Sequence, residues 1–428
     1  MAPERAPIGM LAGGGRLPIE IAESILGRGG HVHAVLIGGE ADQDWSAIPH
    51  TEVGWGSIGG MVGALKDAGC RDLVIIGRVR RPDLWKLRPD FGFWQALPRI
   101  VRLVRAGGDD SVLRRVVRFF EDQGFQVRGP GDLVPELVVG AGPLGACAVP
   151  AGMDRDIALG FEVIAALGDL DIGQAVVVAD GRLAAVEGAE GTDGLMMRLS
   201  GQAGTRRAVL VKAPKPGQEL RVDMPVIGSR TLGLAEAKGF AGIAVAAGSV
   251  LVADRAEAVR AADAAGLFVM GAEVAERPAA GSGRERAWQV SEHQRLGQRR
   301  PTAAEVRDAA RGWTAVARLA RFSARASAFV ARRHILAVGI GETPAEIVAR
   351  LRTLRQWGDR ARWGRRGVLA FADANALDEA SIQAAAAAGL AGIVLGDRPA
   401  NLVALAGAVD RARLFLLAIS PSDRRGEP

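Results

Sequence analysis

The chain has 428 residues, too many for one ordinary domain of roughly 150, so two or three are expected. Apolar residues make up 49%, enough to build sizeable cores and to exclude a largely disordered chain. The net charge of +6, carried mostly by arginine, suits an anionic partner (nucleotide, phospholipid surface or nucleic acid) without choosing among them.

The two cysteines, Cys70 and Cys147, offer neither a disulfide framework nor zinc spacing, and read as small core residues of a reduced, cytosolic protein. No charged leader followed by an apolar run is seen, and no apolar run reaches the ~18 residues of a membrane span, so neither a secretory leader nor a span is expected.

Ile8–Ala12 is a short apolar run, followed by Gly13-Gly14-Gly15 and a helix opened by Leu17-Pro18-Ile19-Glu20. Strands at His33–Ile37 and Leu73–Ile76, with a helix over Met61–Ala68 between them, predict βαβ units and a parallel sheet. The glycine turn departs from the dinucleotide fingerprint, because Pro18 stands where the third glycine belongs, although Glu40 could pass for the ribose-binding acid. Two readings of the turn stay open: a tight strand-to-helix connection, or backbone N–H groups facing a phosphate or sugar hydroxyl. Arg81–Gly107, in which Trp85, Phe91, Phe93 and Trp94 alternate with arginines, reads either as a lid gripping acyl chains or as an ordinary helical hairpin.

A helix over Asp154–Leu167 leads to short strands at Ala175–Val178, Leu183–Val186, Val209–Lys212 and Ile243–Val245, separated by turns at Asp180-Gly181 and Pro214–Gly217. Glu276–Gly297 has linker composition. The sequence beyond it echoes the preceding region in four blocks of the same order. Val330–Val338 mirrors Val178–Val186, Arg365–Leu369 mirrors Arg206–Leu210, Ala388–Ile393 mirrors Lys238–Ile243, and Leu414–Leu416 matches Leu267–Val269.

The densest polar cluster is Glu190-Gly191-Thr192-Asp193, Lys212 with Lys215 on a proline-stiffened turn, and Asp223 before Pro225. Cleavage of a diphosphate needs such parts: lysines to neutralise phosphoryl oxygens, and carboxylates to hold a hard cation or to activate water. Each part has a plainer alternative. Glu190 and Asp193 can cap the helix predicted at Leu195–Leu199, the lysines can be solvated loop charges, and Asp223 can be a turn former. The five histidines have no metal-ligand spacing, and no G-x-S-x-G elbow or Cys/His pair supports nucleophilic catalysis.

Over about residues 7–273 the chain resembles the LpxI-type UDP-2,3-diacylglucosamine diphosphatases. The likeness rests on Leu11–Pro18, Gly77–Pro82, Gly108–Asp110, Gly173–Val178, Ala185–Glu187 with Glu190–Asp193, Lys212–Gln218 and Asp223–Gly228, in this order and spacing. It implies hydrolysis of UDP-2,3-diacylglucosamine to UMP and 2,3-diacylglucosamine 1-phosphate (lipid X) in lipid A biosynthesis, with water attacking the sugar-side phosphorus. It implies Mg²⁺ dependence, with Mn²⁺ as a substitute. Asp223, Lys212 and Lys215 are implied as catalytic residues, with Asp223 and Asp193 as metal ligands. Gly13, Gly14, Gly15, Leu17, Gly77, Arg78, Asp109, Gln174, Glu190, Thr192 and Asp193 are implied to bind substrate. Peripheral association with the cytoplasmic face of the inner membrane and a homodimer are further expectations, and nucleic acid is not an expected partner.

The organisation expected is α/β: a Rossmann-like domain over 1–140, a linker helix over 141–167, an α/β catalytic domain over 168–275, a linker over 276–305 and a shortened repeat over 306–420. The repeat is expected to be catalytically silent, because Glu187 corresponds to Gly339 and the lysine turn becomes Phe371–Ala374. It is expected to stabilise the enzyme, mediate assembly or touch the membrane through Trp357 and Trp363. A nicotinamide-dependent oxidoreductase and a non-catalytic binder of anionic lipid or nucleotide are the alternatives. The carboxylates at Glu190, Asp193 and Asp223 weigh against the binder, since they repel phosphate unless a cation intervenes.

Overall fold

The fold is that of a computed structural model, which describes residues 6–79, 109–199, 207–274, 295–354 and 367–419. The aromatic segment 81–107 and the tryptophans at 357 and 363 lie outside these residues. The chain divides into two compact units: Met1–Cys147 with Gln218–Gly233 and Val245–Glu273, and Ala148–Gly217 with Leu234–Ala244 and Val274–Pro428.

In the first stretch, β1 (Ile8–Ala12), α1 (Leu17–Gly27), β2 (Val32–Ile37), β3 (His50–Val53), α2 (Ile58–Asp67), β4 (Asp72–Ile76), α3 (Asp109–Asp122) and β5 (Gln126–Val127) follow one another. The strands form a parallel sheet in the order β3-β2-β1-β4-β5. Alternation along each strand supplies both faces of this sheet with apolar side chains, as a parallel sheet covered by helices requires. Met10, Ala34, Leu36 and Val74 pack with Leu17 and Ile21 of α1, while Leu11, Val35 and Leu73 pack with Leu65 of α2 and Val117 and Phe120 of α3. The polar strand β3, His-Thr-Glu-Val, was not expected from the sequence; at the sheet edge it needs little apolar character. β6 (Gly142–Pro143) closes the stretch.

The next stretch holds α4 (Met153–Leu167), β7 (Ala175–Ala179), β8 (Arg182–Val186), α5 (Gly191–Arg198) and β9 (Val209–Lys212). β7 pairs antiparallel with both β8 and β9. Every residue of β7 is buried, in keeping with its unbroken apolar run.

β10 (Val226–Ile227), α6 (Ser229–Ala237), β11 (Gly242–Ala246), β12 (Leu251–Val252), α7 (Arg255–Ala264) and β13 (Phe268–Ala272) follow. β10 pairs parallel with β12, and β13 antiparallel with β6.

The final stretch begins with α8 (Ala303–Leu319), started by a capping box in which Thr302 and Glu305 each accept the other's backbone N–H. It continues with β14 (Ala326–Ala331), β15 (His334–Ile340), α9 (Pro344–Leu354), β16 (Val368–Phe371), α10 (Glu379–Ala387), β17 (Gly392–Leu395), α11 (Leu402–Arg411) and β18 (Phe415–Ala418). The sheet order is β15-β14-β16-β17-β18, with a core that includes Phe329, Leu351, Leu369, Ile393 and Leu416. No helix among the described residues is long and apolar enough to cross a membrane.

Candidate active site

In the first unit β1 and β4 are neighbours whose chains leave toward opposite sides of the sheet, a topological switch point of the kind at which open α/β sheets bind ligands. Both strands end in glycine turns, and the turns are zipped together. Gly13 N–H donates to Ile76 O at 2.9 Å, and Gly14 and Arg78 exchange both backbone hydrogen bonds at 2.8 Å. A Cβ on Gly13 would lie 2.5 Å from Arg78 O, and one on Gly77, whose φ is +104°, would lie 2.8 Å from Gly13 N. Glycine is therefore demanded by backbone-to-backbone approach and, at Gly77, also by conformation. Leu17, the first residue of α1, is buried in the core.

Gly15 N–H donates to Asp42 Oδ1 at 2.7 Å, and this bond holds the Asp42 carboxyl below the usual carboxylate range. The Arg78 guanidinium, largely exposed, stands 3.9 Å from the same carboxylate. An acid that bonds the glycine turn is thus Asp42, two residues beyond Glu40. The sequence signal was only that an acid follows β2, and the one nearer the strand drew the reading.

Asp223, in the first unit, sits at the end of a turn closed by its N–H to Glu219 O at 3.0 Å. The buried Gln218 amide donates to both the backbone oxygen and the Oδ2 of Asp223, each at 2.7 Å. Arg221 braces the turn, donating to Glu219 and to Glu121 of α3 at 2.8 Å, and its hydrogen bonds hold the Glu219 carboxyl low. Asp109 opens α3.

In the second unit the register pairs Ala175 of β7 with Lys212 of β9, while Ala175 O accepts the Glu187 N–H at 2.9 Å. Three side chains then meet. Lys212 Nζ donates to Thr192 Oγ1 at 3.0 Å, and Thr192 Oγ1 donates to Glu187 Oε1 at 3.2 Å. Glu187 Oε2 is buried with no hydrogen-bond partner, and burial pushes this carboxyl up, against the pull of Lys212 and Thr192. Lys215 Nζ lies 2.5 Å from Asp171 Oδ1, and Gln174 O accepts Ala213 N–H at 3.0 Å, so the lysine turn is tied to the start of β7. Neither lysine is a solvated loop charge: Lys212 is buried and the Lys215 side chain is 12% exposed.

Glu190 pairs with two guanidiniums, Arg198 at 3.2 Å and Arg350 at 3.1 Å. It occupies the N-cap position of α5 without a side-chain capping bond, and Asp193 lies in the first turn. Among the described residues no group of three His, Cys, Asp or Glu gathers as a ready-made metal site. Asp171, Gln218 and Asp42 make the contacts just described, yet carried no role in the reading of the sequence, and Glu187 entered it only as a residue that the repeat lacks. Glu187 and Gln218 sit inside the motifs already noted, where nothing local announces which polar residue turns inward.

The family LpxI N-terminal domain matches residues 7–137, and the LpxI C-terminal domain matches residues 140–270. The chain is 39% identical over 278 residues to the UDP-2,3-diacylglucosamine pyrophosphatase LpxI of Caulobacter vibrioides, covering 63% of this chain and 99% of that protein.

Proposed function

Because the chain belongs to the LpxI family, we propose that it hydrolyses the diphosphate of UDP-2,3-diacylglucosamine, giving UMP and 2,3-diacylglucosamine 1-phosphate within lipid A biosynthesis. The observation that carries the reading is the likeness to the Caulobacter pyrophosphatase, which extends over 99% of that protein. The side-chain chemistry agrees with it. Lys212 and Lys215 are cations held on short leashes by Thr192 and Asp171, suited to fixed stabilisation of phosphoryl oxygens. Asp223, gripped by Gln218, is an oriented carboxylate able to take a proton from the attacking water. Water adds at the sugar-side phosphorus, the bond from that phosphorus to the bridging oxygen breaks, and UMP departs with that oxygen.

Mg²⁺, or Mn²⁺ in its place, belongs to the proposal. Such ions take carboxylate oxygens, which Asp223 and Asp193 offer, and keep several waters, so the lack of a three-ligand cluster among the described residues is no obstacle. When bound, the cation supplies charge neutralisation at phosphoryl oxygens. Substrate contacts are proposed for Gly13, Gly14, Gly15, Gly77, Arg78, Asp109, Gln174 and Thr192. The net charge of +6 supports peripheral association with anionic lipid at the cytoplasmic face of the inner membrane.

The test is incubation with UDP-2,3-diacylglucosamine and Mg²⁺ in ¹⁸O-labelled water. UMP should appear and the label should enter the acyl-sugar phosphate. An inert substrate would remove the assignment, and label in UMP would move the attack to the other phosphorus.

A further inference from the structure

Unlike the family domains, the final stretch has no counterpart in the Caulobacter protein's length, and its contacts within the second unit are what make it informative. One interval separates a series of equivalent features. Asp156 of α4 accepts the N–H of Gly181 at 2.8 Å in the β7–β8 turn, and Asp308 of α8 accepts those of Arg332 and Arg333 at 3.0 and 2.7 Å in the β14–β15 turn. Both turns have two successive residues at positive φ: Asp180 and Gly181 in one, Arg332 and Arg333 in the other. The register of β7 on β8 slips between Val177 and Val178, and that of β14 on β15 between Phe329 and Val330. Gly160 faces Val211, and Gly312 faces Ala370. Such bulges, turn caps and closely approached glycines are independent details, and the same interval links them, while the strand residues that the glycines face, Val211 and Ala370, stand seven residues further apart.

The same interval also links the chemistry that is missing. Where the first copy has Glu187, Thr192 and Asp193, the second has Gly339, Pro344 and Ala345. By strand register rather than by that interval, Lys212 pairs with Ala175, and Phe371 takes its place opposite Ser327, the residue one interval beyond Ala175.

The two copies meet through their own equivalents. Arg198 binds Glu190 of its own copy at 3.2 Å and Glu342 of the other at 3.3 Å; Arg350 binds Glu342 of its own at 3.1 Å and Glu190 of the other at 3.1 Å. Each guanidinium also donates to the equivalent strand end, Arg198 to Val186 O at 2.7 Å and Arg350 to Val338 O at 2.9 Å. All four side chains are 10–14% exposed. Ala189 N–H donates to Leu336 O at 2.9 Å, so the backbones touch as well. Contacts in which each residue meets its own equivalent's partner define an isologous interface, the kind formed by two identical subunits.

We propose that residues 303–418 are a chemically emptied second copy of the fold that begins at Met153, docked on the first copy as a built-in subunit partner in place of a second chain. The buried charge cluster sets the register of that contact, the role in which buried ion pairs are best attested. The proposal stands independently of the hydrolytic reading.

The test uses the full chain. The variant Glu342→Arg/Arg350→Glu keeps a complementary pair inside the second copy but sets like charges against each other across the contact. Hydrogen exchange at the Ala189 amide should then accelerate on the order of tenfold or more. Adding Glu190→Arg/Arg198→Glu restores complementarity and should recover protection. Unchanged Ala189 exchange in the double variant, or no recovery in the quadruple one, would overturn the proposal. Should the double variant fail to fold, Arg350→Gln tests the same amide with a milder loss. In sedimentation velocity the wild-type chain should run with the mass of one chain; a dimer dissolved by Glu342→Arg/Arg350→Glu would equally overturn it, because that face would then belong to a second chain.

Discussion

Gln218 holds Asp223 by two hydrogen bonds of 2.7 Å, one to the carboxylate and one to the backbone oxygen of the same residue. The amide therefore fixes both the position of the turn and the direction of the acid. Asp223→Ala should abolish turnover while substrate still binds. Gln218→Leu leaves the acid present but unaimed, and a misplacement of this kind costs about 10²-fold in rate. The loss should fall on kcat rather than KM, with Gln218→Glu failing to restore it because two carboxylates would then face each other. Steady-state kinetics on the three variants separates these outcomes; full activity in Asp223→Ala removes Asp223 from the mechanism.

The relay from Lys212 through Thr192 to Glu187 makes a second prediction. Thr192→Val deletes the hydroxyl between two buried charged groups with little change in shape. Removing a hydrogen bond to a buried charged group costs about 1–3 kcal/mol, to be read as a lowered unfolding midpoint. Lys212→Met should go further, lowering kcat as well as stability, since it removes a fixed cation. Loss of stability alone in Lys212→Met would reduce the lysine to a structural part.

The α/β class, the first βαβ unit, the hairpin at Asp180-Gly181 and the helix read over Asp154–Leu167, observed as Met153–Leu167, were legible because each rests on local pattern: apolar runs of strand length, a turn dipeptide, helical periodicity. The polar residues of the site were legible as a neighbourhood and less so as individuals. Glu187 ends an apolar strand and Glu190 follows three residues later; that the first turns to Thr192 and the second to Arg198 and Arg350 depends on the fold around them. Long-range pairing of this sort has no period or motif. Asp42 escaped for the same reason, its partner Gly15 lying on another loop.

The glycine turns give a prediction about stability. A Cβ on Gly77 would stand 2.8 Å from the Gly13 backbone at a φ of +104°. Gly77→Ala therefore meets both steric conflict and a forbidden conformation, and should destabilise by more than the roughly 1 kcal/mol that separates the residues elsewhere. Gly39, also at positive φ but with nothing within 4 Å of the added Cβ, isolates the conformational part. Thermal unfolding should rank Gly77→Ala well below Gly39→Ala; equal midpoints would mean that the zipped turns yield easily.

Burial raises the Glu187 carboxyl above its ordinary 4.5, and neither Lys212 nor Thr192 offsets that fully. A carboxyl with a raised folded pKa binds its proton more tightly in the folded protein than in the unfolded chain. Its contribution to stability is thus fully present below the unfolded value and is lost as pH rises through the folded value. Glu187→Gln removes this titration and the burial of a charge together. Against wild type, the variant should gain stability above that window and gain little below it, so the difference in unfolding midpoint should grow as pH rises out of the ordinary carboxylate range. A variant less stable than wild type at the upper end would mean that the ionised carboxylate, held by Lys212, is the form the fold prefers.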